Sequence, residues 1–396
     1  MRKAELLFFP MPGISHLVPA VEISKLLVQR DETISVTHLV VKLPHDNQTS
    51  LYMESVEAGL NRRIELLVLP SLENPVDRSS RSFIELLVEG YKPIVKQIVL
   101  DRADGNPGLV VDFFCTGMID LANEMNVPSY LFFTSAISTL ALFLHFQSLR
   151  DNHGIDVTQF DNDPDAELDL PVFGNRFPAK LLPQVTLDRS EEGGSNALLN
   201  QVKRYRKTKG MIVNSFAELE PRAVRWLSSD ATIPPIYPLG PVISFTRKSG
   251  GAADGDGVSI LRWLDDQPLS SVVFICFGST GSFREEQVRE IAEALERSGL
   301  RFLWSLRATP DDLSFEDVLP DGFLGRTAET RESYRVGPAG GDPIPRRRRR
   351  LHVALWVELD SGERMVRDAS WGMASFCRTT AECFYAGDGI GNRRRH

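Results

Sequence analysis

Short apolar runs rich in β-branched and aromatic residues alternate with helical patterns from the start of the chain. The runs 4–9, 34–41, 64–69, 109–114, 130–133 and 211–213 read as strands. Between them, 17–27 carries Val18, Val21 and Leu26 at helical spacing with Pro19 in its first turn, and 83–99 is a second helix. Such alternation predicts a parallel sheet with helices on both faces, a doubly wound α/β domain. Ligands of these sheets bind beyond the carboxyl ends of the strands, which makes residues 10–16 and the surroundings of Asp112 a candidate site.

The pattern breaks after residue 245. Residues 246–259 contain no apolar side chain larger than valine and read as a flexible linker between a first domain, 1–245, and a second unit, 260–330. There, 271–277 is an apolar strand and 278–281 a turn of small residues, while Ser282 and Glu285 have the S-x-x-E form of a capping box. Val288, Ile291, Ala292 and Leu295 share one helical face, Gly299 can close that helix, and 301–306 is the next strand. No helical or strand period persists in 331–396.

The chain has 396 residues, 42% of them hydrophobic, enough for a large core and two domains, which excludes disorder throughout. Cys115, Cys276, Cys377 and Cys383 lack the spacing of a zinc site and the density of a disulfide scaffold, so they read as thiols in a reducing, cytoplasmic setting. The apolar run 6–9 is stopped by Pro10 and Pro12, too soon for a signal peptide. Residues 131–146, interrupted by Thr134, Ser135, Ser138 and Thr139, fall short of the roughly 20 residues of a membrane span and read as strand followed by helix.

Charge changes the picture at the tail. The net charge of −8 disfavours nucleic acid and anionic membrane as partners, yet 331–396 holds thirteen Arg and no Lys and carries +5, against −13 for 1–330. Arginines at 346–350 and 393–395 could form a nucleic-acid arm, but no aromatic stacking platform or groove-binding motif accompanies them. The glycine run 387–391 follows no strand and carries little weight.

Three features could carry chemistry. His16, just after the first strand, suits a general base acting on a hydroxyl, or is a helix-start histidine bonded to nearby backbone. Asp112, among Val110, Val111, Phe113 and Phe114, needs a partner for its charge. It either orients His16 or caps the helix near Thr116. The small residues from Gly278 to Ser282 either present backbone N–H groups to a diphosphate at a helix N-terminus or form a tight strand-to-helix turn. They match neither the Walker loop nor the dinucleotide fingerprint.

Taken together, residues 12–20 (P-G-I-S-H-L-V-P-A), 110–115 (V-V-D-F-F-C), 132–136 (F-F-T-S-A), 214–220 (N-S-F-A-E-L-E), 263–268 (W-L-D-D-Q-P) and 277–279 (F-G-S) resemble the plant-type family-1 UDP-dependent glycosyltransferases. The resemblance covers roughly 1–330. It implies two Rossmann-like doubly wound domains of GT-B type, acceptor-binding first and donor-binding second, the second one incomplete here, with the reaction in the cleft between them. It further implies transfer of glucose from UDP-glucose, as co-substrate and without metal or other cofactor, to a hydroxyl of a small lipophilic acceptor such as a flavonoid or another plant phenol, with inversion. His16 would be the base and Asp112 its partner. Gly278, Ser279, Gly281 and Thr134 would face the donor, and Gly13, Ser15 and Phe133 the acceptor. A cytoplasmic monomer is expected.

The family's donor-binding signature, from W-A-P-Q through H-C-G-W-N-S to an acid–glutamine pair, is absent, and the tail stands in its place. Residues 357–363, written GTG GAA CTC GAC TCT GGA GAG and read one base later, become W-N-S-T-L-E. The same offset turns 331–336 into G-K-V-I-G-W, 351–356 into F-T-S-H-C-G and 377–383 into A-E-Q-Q-L-N-A. Residues 331–396 therefore read as a glycosyltransferase gene translated out of frame after a net one-base insertion near the codon for Arg331, with a natural divergent tail as the alternative. Two expectations follow for the protein: a transferase by descent, or an inactive pseudoenzyme that binds phenols without transferring sugar. The strands 271–277 and 301–306 are expected to be left with unprotected edges.

Overall fold

The computed structural model describes residues 4–44, 46–72, 76–77, 80, 82–163, 165–173, 176–190, 194–242, 262–268, 271–276, 285–307, 318–328, 331–336 and 351–356. The chain forms two compact units, Met1–Ser249 and Gly250–His396. The expected linker and the loop holding Gly278, Ser279 and Gly281 lie outside the described residues.

The first unit is built on β1 (Ala4–Phe9), β2 (Ile34–Val40), β3 (Ile64–Val68), β4 (Pro107–Asp112), β5 (Ser129–Phe133), β8 (Met211–Val213) and β9 (Ile236–Pro238). They form one seven-stranded sheet in the order β3-β2-β1-β4-β5-β8-β9, and every neighbouring pair is parallel. A separate hairpin pairs β6 (Glu167–Leu168) with β7 (Phe177–Pro178). The connecting helices are α1 (Ile14–Arg30), α2 (Asn47–Glu57), α3 (Phe83–Asp101), α4 (Gly117–Glu124), α5 (Ile137–His153), the single turn α6 (Gln184–Leu187), α7 (Ser195–Tyr205) and α8 (Pro221–Ser229).

Strand alternation distributes the side chains between two layers. Phe8, Val36, Ile64, Val110, Phe132 and Ile212 pack with Ala20 and Ile23 of α1 on one face. On the other face Phe9 meets Tyr91 of α3 and Phe133 meets Tyr205 of α7. Both faces are covered, so the central strands read as continuous apolar runs.

Helix α5 has no side-chain cap of its own at Ala136. Glu220 supplies one: its carboxylate accepts the Ile137 and Ser138 N–H groups, both at 2.8 Å, the Ser138 hydroxyl at 2.7 Å, and the Ser215 hydroxyl. Glu220 is 3% exposed, so these four donors have no water to fall back on. Replacing it by glutamine puts an NH2 group against donors. Glu220→Gln is expected to cost about 2–4 kcal/mol, read as a lower denaturant midpoint, and an unchanged midpoint would refute this role.

His38, in β2, is fully buried against Phe8. Its Nε2 lies 3.0 Å from the Ser24 hydroxyl, which itself donates to the Ala20 carbonyl, so Nε2 carries the proton and Nδ1 has no partner. Burial lowers its pKa to about 3 from the usual 6.5. A depressed histidine pKa contributes stability above pH 6.5 that is lost as the pH falls toward 3, because only the unfolded chain then takes up the proton. Between pH 7 and pH 5 the wild type should lose about 2 kcal/mol more than His38→Leu, since one pH unit corresponds to about 1.4 kcal/mol. Equal losses in a pair of denaturant titrations would contradict this.

The second unit contains β10 (Val272–Cys276), α9 (Glu285–Ser298), β11 (Arg301–Arg307), β12 (Arg331–Val336) and β13 (Leu351–Trp356). Val288, Ile291 and Ala292 of α9 pack on Ile275, Phe302 and Trp304. Gly299, at φ 64°, ends the helix as expected. The sheet order β12-β11-β10-β13, parallel throughout, corrects the reading of 331–396 as lacking strands and that of β10 and β11 as unprotected. Each of the two has a neighbour on both sides. A parallel ladder is made by backbone N–H and C=O groups, which every non-proline residue brings whatever its side chain.

Candidate active site

β1 and β4 are neighbours at the place where the strand order reverses, with β2 and β3 running out to one side and β5, β8 and β9 to the other. The loops after these two strands therefore leave in opposite directions and open a crevice. The loop after β1 ends at Gly13, whose φ of 122° and ψ of 151° lie where a side chain would be strained. From there the Gly13 carbonyl accepts the Leu17 N–H at 3.1 Å, and α1 starts at Ile14 without a side-chain cap. The helix thus begins three residues earlier than its apolar spacing indicates. Pro19 falls inside α1 rather than in its first turn, and His16 sits in that first turn.

His16 Nδ1 lies 2.8 Å from Asp112 Oδ2, across 96 residues of sequence. The histidine side chain is 15% exposed and the carboxylate 0%. The other carboxylate oxygen accepts the Phe114 N–H at 3.0 Å, so Asp112 both holds the imidazole and secures the turn that follows its own strand. An ionised carboxylate only accepts, which places the proton on His16 Nδ1 and leaves Nε2 with a lone pair. Burial pushes the Cys115 thiol and the Tyr205 hydroxyl up, and the charge of Asp112 adds to both shifts. Tyr205 spends its proton on the Phe113 carbonyl at 3.0 Å, which ties α7 to the turn after β4.

Two aromatic side chains, which sequence reasoning missed, complete the site. The rings of Phe113 and Phe114 lie 5.9 and 5.7 Å from the His16 ring and 4.0 Å from each other. Phe114 is 38% exposed, unusual for so large an apolar group beside a buried carboxylate. The available signal was the phenylalanine pair directly after a strand-end acid. Ser15 is exposed in the first turn of α1, and Thr134 is buried just beyond β5. Phe133, expected to face an acceptor, is 0% exposed and packs 4.7 Å from Phe113 and 6.4 Å from Tyr205. That expectation is corrected: its ring points into the helix-covered face and supports Phe113 from below. Together these groups can take a proton from a hydroxyl held against an aromatic wall.

No family model matches the chain. Among characterised proteins it is 45% identical over 352 residues to UDP-glucose flavonoid 3-O-glucosyltransferase 6 of Fragaria ananassa, a match covering 83% of this chain and 72% of that one. It is 44% identical over 351 residues to UDP-glycosyltransferase 71A15 of Malus domestica, with the same coverage. The structure of a UGT transferase from Siraitia grosvenorii in complex with UDP superposes with a TM-score of 0.74 at 38% identity, covering 85% of this chain and 74% of that one. UGT71G1 of Medicago truncatula complexed with UDP-glucose gives a TM-score of 0.72 at 36% identity, covering 85% and 72%.

Proposed function

We propose, from the premise that the chain belongs to the plant UDP-glycosyltransferases, that its first unit carries the acceptor half of an inverting glucosyl transfer to a small lipophilic phenol. The observation that carries this reading is the 2.8 Å contact between His16 and Asp112 at the switch point of the sheet. Asp112 holds Nδ1–H, so Nε2 takes the proton from the acceptor hydroxyl, and Asp112 stabilises the imidazolium that forms. The freed oxygen bonds to the anomeric carbon of UDP-glucose as the bond from that carbon to the UDP oxygen breaks. UDP departs with the electron pair, and displacement from the opposite side inverts the configuration. Gly13 serves by placing His16, and Phe113 and Phe114 serve as the surface on which a flat acceptor rests. Gly278, Ser279 and Gly281 would approach the donor phosphates, as would the N-terminus of α9.

A second reading is favoured by the missing donor signature in 331–396. In it the chain binds phenols and transfers nothing. Calorimetric titration separates the two: heat with a phenol from the full chain, joined by heat with UDP once the frame is corrected near the codon for Arg331, supports a transferase by descent, phenol heat with no UDP heat from either chain supports the pseudoenzyme, and no heat with the phenol removes both. The phenol class and the choice of glucose rest on the relatives' names. Among the described residues, no helix is long and apolar enough to cross a membrane.

A further inference from the structure

The peptide unit that joins Phe113 to Phe114 is held at both ends. Its C=O accepts the Tyr205 hydroxyl at 3.0 Å, and its N–H donates to Asp112 Oδ1 at 3.0 Å. This unit is the central peptide of a turn that the Cys115 N–H closes on the Asp112 carbonyl at 2.8 Å. The orientation of the central peptide is what distinguishes one turn type from another, so it is the part of the turn with freedom to rotate. Among the described non-glycine residues only Asn106 and Asn126 have positive φ, which excludes the type II orientation at Phe114. Within the range that remains, the C=O and N–H of one planar unit move together. A carbonyl deprived of the Tyr205 hydroxyl would turn toward the solvent that reaches Phe114, and the N–H would swing off Asp112 Oδ1.

The hydroxyl comes from a fixed place. Tyr205 is buried, as are Leu199 and Val202 of the same helix, and its ring packs edge-on against Phe133. The end of α7 is pinned to α4 by Arg204 and Lys207, which donate to the two carboxylate oxygens of Asp120 at 2.7 and 2.8 Å. Resting on the acceptor reading above, we propose that Tyr205 is a positioning residue for the proton transfer: through the 113–114 peptide its hydroxyl fixes the Asp112 carboxylate, and through that carboxylate it keeps the proton of neutral His16 on Nδ1. Its own proton is spent on the backbone, so it acts on an acceptor only through Asp112 and His16.

The test reads the histidine ring nitrogens of the full chain by NMR, at a pH where imidazole is neutral, with the His16 signals assigned by their loss in His16→Gln. The wild type should show His16 as the Nδ1–H tautomer and His38 as the Nε2–H tautomer. Tyr205→Phe keeps the ring and removes the hydroxyl. It should lower the ratio of Nδ1–H to Nε2–H at His16 by about three- to tenfold, up to the size of one hydrogen bond, and leave His38 unmoved. Asp112→Asn calibrates the scale: its oxygen stays with the Phe114 N–H, its NH2 faces Nδ1, and the His16 tautomer should invert. In the wild type the Phe114 amide should also exchange with deuterium as slowly as the amides of β4. An unmoved His16 in Tyr205→Phe, or a comparable shift at His38, overturns the positioning role and leaves the acceptor reading standing. A fast Phe114 amide does the same, and the exchange rate decides alone if Tyr205→Phe does not fold. A His16 tautomer that fails to invert in Asp112→Asn overturns the acceptor reading itself, and the role of Tyr205 with it.

Discussion

Deletion of one base near the codon for Arg331 is expected to turn a chain that does not bind UDP-glucose into one that transfers glucose to a phenol. The expectation rests on the out-of-frame reading of 331–396 and on what the family resemblance implies for the restored segment: a tryptophan to stack on uracil, a histidine and an asparagine–serine pair for the diphosphate, and an acid–glutamine pair for the sugar. Hydrogen bonds to a charged group contribute about 1.5–3 kcal/mol each, so lacking two of them lowers donor affinity roughly 10²- to 10⁴-fold. His16 and Asp112 stay in contact meanwhile, because both lie in the first unit. The unaltered chain should therefore fail at donor binding, before any chemistry. The comparison measures UDP titration heats and glucoside formation for both chains, the corrected one extended to its next stop codon. Equal glucoside formation by the unaltered chain would defeat the frameshift as an account of function.

In the corrected chain, His16→Ala should lower kcat by about 10²- to 10⁴-fold with a weakly acidic alcohol as acceptor and leave UDP affinity unchanged. The base acts on the acceptor oxygen alone, which is why the two readouts separate. A phenol ionised at the assay pH needs less help, so the loss should shrink as acceptor acidity rises. Near-normal turnover of a weakly acidic alcohol would remove His16 from proton transfer.

The strands of the first sheet could be read from the sequence because both faces of that sheet are covered, and its central strands are accordingly apolar at most positions, as Leu109–Val111 of β4 are. β9 escaped, since Ile236–Pro238 is short and contains a proline. The start of α1 was misplaced for a different reason: it is set by the backbone angles of Gly13, which hydrophobic spacing does not register. Asp112 was visible as an acid among apolar neighbours, yet nothing local said that its partner lay 96 residues away. Phe133 shows the opposite error, since an aromatic beside a motif residue says nothing about which side of the strand it occupies. In the second unit, β12 and β13 were invisible to pattern reading because their pairing rests on the backbone, and the side chains of 331–396 keep no period.

The Glu220 cap has a consequence for the order of events during synthesis. The first turn of α5 leaves the ribosome 82 residues before the carboxylate that satisfies Ser138, a delay of about 4–16 s at roughly 5–20 residues per second. Throughout that interval the turn after β5 lacks its acceptor, and the edge of β5 that β8 will cover is open, because β8 is made only just before Glu220. Nascent chains shorter than about residue 220 thus carry an uncapped apolar helix beside a bare strand, the combination that chaperones bind, and release from them should coincide with the emergence of this one glutamate.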